Sequence, residues 1–133
     1  MVGERRGSEV VKPSAGHTAA ILARLVKATR YSLAGLQAAY RHEQAFRLET
    51  LVLVFVVPGG LWLGKTGAER ALLIGSWCLV MVVELLNSGV EALVDRIGTE
   101  RTELAGRAKD MGSAAVFAAI VLAAAVWVLV LAT

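Results

Sequence analysis

Glu84, Asn87, Ser88, Glu91 and Asp95 interrupt an otherwise apolar stretch of the chain. Their offsets of 3, 4, 7 and 11 from the first place all five on one face of an α-helix. A carboxylate at the depth expected for Glu84 costs at least about 2.5–3.5 kcal/mol on membrane-insertion scales. A lone buried Glu can serve as a helix–helix hydrogen-bonding device. A stripe of five polar groups running from mid-span to the helix end suggests instead a path from lipid depth to cytosolic water. Beyond it come Glu100, Arg101, Thr102, Glu103, Arg107, Lys109 and Asp110. Lys109 is expected at the membrane boundary, where a lysine meets phosphate oxygens as a point charge or simply flanks a span. Upstream, Glu43 and Arg47 are i, i+4 partners with at least the makings of a solvated pair.

A second pattern competes for attention. Gly59-Gly60-Leu61-Trp62-Leu63-Gly64-Lys65-Thr66 matches the phosphate-loop consensus G-x-x-x-x-G-K-[ST] letter for letter. That loop works by wrapping backbone N–H groups around phosphates from a strand–loop–helix unit. No supporting parallel sheet is expected here, because the rest of the chain reads as long helices. The octamer is therefore read as a turn between spans.

The elements that must position these groups follow from composition. The chain has 133 residues, 56% of them hydrophobic, 19% charged and 6% aromatic. Ordinary soluble domains hold roughly 45–50% and about 25% of the first two classes. A domain this small has too little core to hide that excess of aliphatic side chains, and disorder is excluded. Cys78 is the only cysteine, so neither an intrachain disulfide nor a cysteine metal cluster is possible.

Residues 1–19 read as a polar N-terminal extension, and 20–133 as a membrane domain. Leu22, Leu25, Val26, Leu33, Leu36 and Tyr40 recur near the helical period among Arg24, Lys27, Arg30, Arg41 and Arg47. This predicts a basic amphipathic helix over about 20–47, lying in the headgroup plane. Three apolar spans are expected at about 48–64, 71–94 and 111–132, the last with no charge. Pro58-Gly59-Gly60 is expected to kink or end the first. Twelve Lys and Arg flank the spans on one side and two, Lys65 and Arg70, on the other. The positive-inside rule then predicts a multi-pass protein with a cytoplasmic N-terminus and a periplasmic C-terminus. Trp62 and Trp127 are expected towards the outer interface.

The run from Glu84 through Asn87, Ser88, Gly89 and Glu91 to Asp95-Arg96-Ile97-Gly98 resembles the signature of the small prokaryotic diacylglycerol kinases. The resemblance continues through Gly106-Arg107-Ala108-Lys109-Asp110-Met111-Gly112-Ser113. Tyr31-Ser32 and Glu43-Gln44-Ala45-Phe46-Arg47-Leu48-Glu49 extend it upstream. It covers the chain from about Arg24 to the end. It implies an all-α membrane protein of three transmembrane helices plus an amphipathic surface helix, assembled as a homotrimeric bundle in the bacterial inner membrane. It also implies transfer of the γ-phosphoryl group of Mg²⁺-bound ATP to the hydroxyl of diacylglycerol, giving phosphatidic acid.

By the same resemblance, Glu84 corresponds to the general base and Asn87 to a polar residue steadying it. Glu43 and Glu91 correspond to the Mg²⁺ carboxylates and contact ATP. Lys109 and Asp110 match the phosphate-binding lysine and its neighbour; Arg24, Tyr31, Glu100, Arg101 and Thr102 match further nucleotide contacts. Ala45, Phe46, Arg47, Leu48, Glu49 and Ser113, with Glu84, correspond to positions near the lipid substrate. The expected partners are ATP, diacylglycerol, the bilayer and further copies of the chain, and no nucleic acid. A sister group phosphorylates undecaprenol, although Asp95-Arg96-Ile97-Gly98 looks more like the diacylglycerol branch. A small accessory membrane subunit, its polar stripe serving only to join helices, is the reading from a different class.

Overall fold

The computed structural model describes residues 15–97 and 102–133, which form four α-helices and, among the described residues, no strand. These are α1 (Ala15–His42), α2 (Gln44–Leu63), α3 (Gly67–Ile97) and α4 (Glu103–Ala132). The described chain divides into two compact units, the N-terminal one ending at Leu36 and the other running from Gln37 to Thr133.

The N-terminal unit carries most of α1. Leu22, Leu25, Val26 and Leu33 are all exposed along it, among basic side chains. The Lys27 ammonium lies 5.8 Å from the centre of the Tyr31 ring, one helical turn away. The last turn bears Arg41 and His42, which complement the negative end of the helix dipole.

The break between α1 and α2 falls at Glu43 rather than near residue 47. Glu43 has extended backbone (φ −102°, ψ 117°), so Ala45–Glu49 belong to the first span and not to the surface helix. Arg47 holds the junction. Its Nη1 donates to the Arg41 carbonyl at 3.1 Å, satisfying an acceptor left free at the end of α1. The pairing of Glu43 with Arg47 expected from their spacing does not form; Lys109 and Asp95 make the ion pair among the described residues.

Pro58 does not end α2. The helix runs through it to Leu63, at the cost of the hydrogen bond that the Val54 carbonyl would otherwise accept. Gly60 then lets α2 cross α3 closely, since a Cβ there would lie 2.8 Å from Ile74 Cγ1. The octamer resembling a phosphate loop is no loop at all over its first five residues, which are helical. Its Thr66 instead caps α3: the hydroxyl accepts the Glu69 N–H at 3.2 Å, while Glu69 Oε2 accepts the Lys65 N–H at 2.7 Å. Arg70 Nε donates to the Gly64 carbonyl at 2.9 Å, closing the turn.

The helices α2, α3 and α4 are each long and apolar enough to cross a membrane. At about 1.5 Å per residue, the 31 residues of α3 extend roughly 46 Å. This helix is central, with α2 and α4 packed against it. Leu73 and Val80 are fully buried, and Val80 meets Ala119 and Ala123 of α4, backed by Trp77 and Val83. Two indoles secure the bundle through main-chain acceptors. Trp77 Nε1 donates to the Glu49 carbonyl and Trp127 Nε1 to the Leu73 carbonyl, both at 3.0 Å. Trp127 thus packs against α3, whereas Trp62 is 84% exposed. Phe55, Phe117, Val128 and Leu129 are also exposed, a surface suited to lipid or to other apolar chains.

Candidate active site

The polar face of α3 is graded as the spacing requires. Glu84 and Asn87 are buried, Glu91 is half-buried and Asp95 is exposed. Asn87 Nδ2 donates to Glu91 Oε1 at 3.1 Å, one helical turn on. Around Glu84 the helices bring further carboxylates. Glu43, at the break before α2, and Glu91 both lie within electrostatic reach of it. Glu49 of α2 is buried beside it from the other side. The site is therefore built by α3 against the first turns of α2.

Three polar atoms in this region are buried without a hydrogen-bond partner: Glu49 Oε2, Asn87 Oδ1 and Ser88 Oγ. Burying unsatisfied oxygens is costly, and such groups need a hydrogen-bond donor that the described residues do not supply. The cluster of carboxylates has the same need for positive charge. Among the described residues no group of three or more His, Cys, Asp or Glu is arranged to hold a metal. Two carboxylates completed by phosphate oxygens and water are, however, the usual provision for Mg²⁺. Glu43 and Glu91 carry hard oxygen donors of the kind that suits the ion.

Lys109 and Asp110 are not in a loop. The third apolar helix begins at Glu103, where the Thr102 hydroxyl caps it by accepting the Ala105 N–H at 3.2 Å. Lys109 Nζ reaches across to Asp95 Oδ1 at 2.6 Å, joining α4 to the exposed end of the polar face. Asp110 and Ser113 are exposed on α4. Ala45, Arg47 and Leu48 are exposed at the start of α2, whereas Phe46 turns inward with Glu49. Arg24 and Tyr31 lie on α1 in the N-terminal unit. Glu100 and Arg101 fall outside the described residues.

Sequence reasoning missed two features of this region. Asp95 was seen as the end of the stripe, but not as the partner of Lys109, because their separation of 14 residues spans the link between helices. The other is Gly112 on α4, where a Cβ would overlap Asn87 Oδ1 and lie 3.2 Å from Asn87 Cγ. Its position at three residues beyond Lys109, on the same face, was the available signal.

Comparison with known proteins gives the family. Residues 30–131 match the family model described as prokaryotic diacylglycerol kinase. The chain is similar to a diacylglycerol kinase of Haemophilus influenzae, 52% identical over 106 residues, covering 80% of this chain and 90% of that one. Its similarity to the Escherichia coli K12 diacylglycerol kinase is 52% identity over 108 residues, covering 81% and 88%. The Pseudomonas aeruginosa diacylglycerol kinase is 47% identical over 110 residues, covering 83% and 89%. The match takes in α2, α3 and α4 together with the last turns of α1, and the chain belongs to the prokaryotic diacylglycerol kinase family.

Proposed function

We propose that this membrane protein phosphorylates diacylglycerol, moving the γ-phosphoryl group of ATP to the free lipid hydroxyl. The observation that carries the reading is the buried Glu84 at the deep end of a polar face, in a chain about half identical to diacylglycerol kinases. Glu84 takes the hydroxyl proton. The lipid oxygen then forms a bond to the γ-phosphorus as the bond from that phosphorus to the bridging oxygen breaks, leaving ADP. Asn87 steadies the arrangement by holding the Glu91 carboxylate. Glu91 and Glu43 would hold Mg²⁺, which would offset charge on the phosphates when bound. Lys109 supplies positive charge to the same phosphates, with Asp110 beside it and Glu100, Arg101 and Thr102 nearby in sequence. Arg24 and Tyr31 of α1 are further nucleotide-contacting candidates by the family resemblance. Residues 45–49 and Ser113 flank the lipid.

Positive charge concentrated on one side supports a cytoplasmic N-terminus and a periplasmic C-terminus in a bacterial inner membrane. The exposed apolar faces and the unsatisfied buried oxygens support assembly into a homotrimer. Residues 1–19 are read as a polar N-terminal extension and 20–133 as the membrane kinase domain.

The test is ATP-dependent phosphorylation by the purified protein in mixed micelles, with diacylglycerol and undecaprenol as competing acceptors. Phosphatidic acid as the main product is expected. Preference for undecaprenol would move the chain to the sister activity, and absence of either product would favour an accessory subunit.

A further inference from the structure

Gly112 occupies the helical interior of α4, where glycine is a poor choice beside alanine. The helical glycines Gly35, Gly67, Gly75, Gly89 and Gly106 all have open space where a Cβ would stand. Gly112 has none. The three nearest atoms to its missing Cβ all belong to one side chain: Oδ1, Cγ and Cβ of Asn87. Residues 112, 119 and 123 share a face of α4, and Ala119 and Ala123 of that row are buried near Val80 of α3. Gly112 lies on the face of α4 that approaches α3, and the Asn87 carboxamide fills the space left where its side chain would stand.

Asn87 Nδ2 donates to Glu91 Oε1, and the amide oxygen, buried without a hydrogen-bond partner, faces α4 at Gly112. Turning the group over would set an oxygen against a carboxylate and point the donors at a helix backbone whose carbonyls are already engaged. Asn87 is 9% exposed, so it cannot swing into open space.

We propose that Gly112 is a positioning residue for phosphoryl transfer: by presenting no side chain, it admits Asn87 between α3 and α4 and so fixes the Glu91 carboxylate. The proposal rests on the roles given above to Asn87 and Glu91. A methyl group at 112 displaces Asn87, and Glu91 then loses its donor.

The test is a cycle of Gly112→Ala and Asn87→Ala in the full-length protein, read in two ways. In detergent micelles, Gly112→Ala is expected to lower the thermal midpoint by roughly 5 °C or more in the wild-type background. It should cost little or nothing when Asn87 is already alanine. In the lipid-kinase assay, Gly112→Ala is expected to lower kcat by roughly tenfold to a hundredfold and to raise the Mg²⁺ concentration needed for half-maximal rate. Equal loss of midpoint in both backgrounds would overturn the proposal. So would a coupled loss that leaves kcat and the Mg²⁺ requirement unchanged, because the contact would then be structural only. If the wild type phosphorylates neither lipid, the proposed function fails and the positioning role fails with it; the thermal cycle still decides whether Gly112 and Asn87 are coupled.

Discussion

Trp77 donates its indole N–H to the backbone carbonyl of Glu49, 28 residues upstream, at 3.0 Å. The bond ties the stretch of α2 that carries one buried carboxylate to the helix that carries Glu84. Replacing Trp77 with Phe keeps an aromatic ring and removes the donor. The expected loss is about 1 kcal/mol of stability, the usual net worth of one such bond, measured by unfolding in mixed micelles. No loss would show that the ring's packing alone joins the helices.

Glu84→Gln preserves shape and hydrogen-bonding capacity but removes the base. The variant is expected to assemble like the wild type while kcat falls by about 10²–10⁴-fold. Normal turnover would remove Glu84 from the chemistry. Loss of assembly instead would assign it to joining helices.

Lys109 and Asp95 are partly exposed, so their 2.6 Å contact contributes little stability, about 0–1 kcal/mol for pairs of this kind. Its importance lies in where it leaves the ammonium. Lys109→Met is expected to raise the KM for ATP by roughly tenfold or more, since a charge-assisted contact to phosphate is lost. Asp95→Asn is expected to raise it less, and the two changes together should fall short of additive. Steady-state kinetics at varied ATP concentration distinguishes these outcomes.

The turn between α2 and α3 offers a contrasting case. Thr66→Ala removes the hydroxyl that caps α3 and is expected to cost about 1 kcal/mol in the same unfolding assay. Lys65→Ala keeps the backbone N–H that Glu69 accepts, and the KM for ATP is expected to stay unchanged. Loss of ATP use in Lys65→Ala alongside normal use in Lys109→Met would restore the phosphate-loop reading.

Helical spacing was enough to place Glu84, Asn87, Glu91 and Asp95 on one face, because period is a property of a single helix. It was enough, too, to find three spans. The break at Glu43 was not legible: nothing in Arg41-His42-Glu43-Gln44 is a helix breaker, and the junction depends on Arg47 reaching back to a carbonyl. Pro58 misled in the opposite direction, since a proline is tolerated in a membrane helix whose neighbours compensate for it. The pairs between helices, Trp77 with Glu49 and Gly112 with Asn87, depend on register across a bundle. One sequence records periodicity within each helix but not the phase of one helix against the next.

The short link from Gly64 to Thr66 also bears on biosynthesis. Three residues reach about 10 Å at most, so the facing ends of α2 and α3 stay together from the moment both have been made. Joined in this way, α2 and α3 form an antiparallel hairpin in which the buried Glu49 and Glu84 are neighbours before α4 is added.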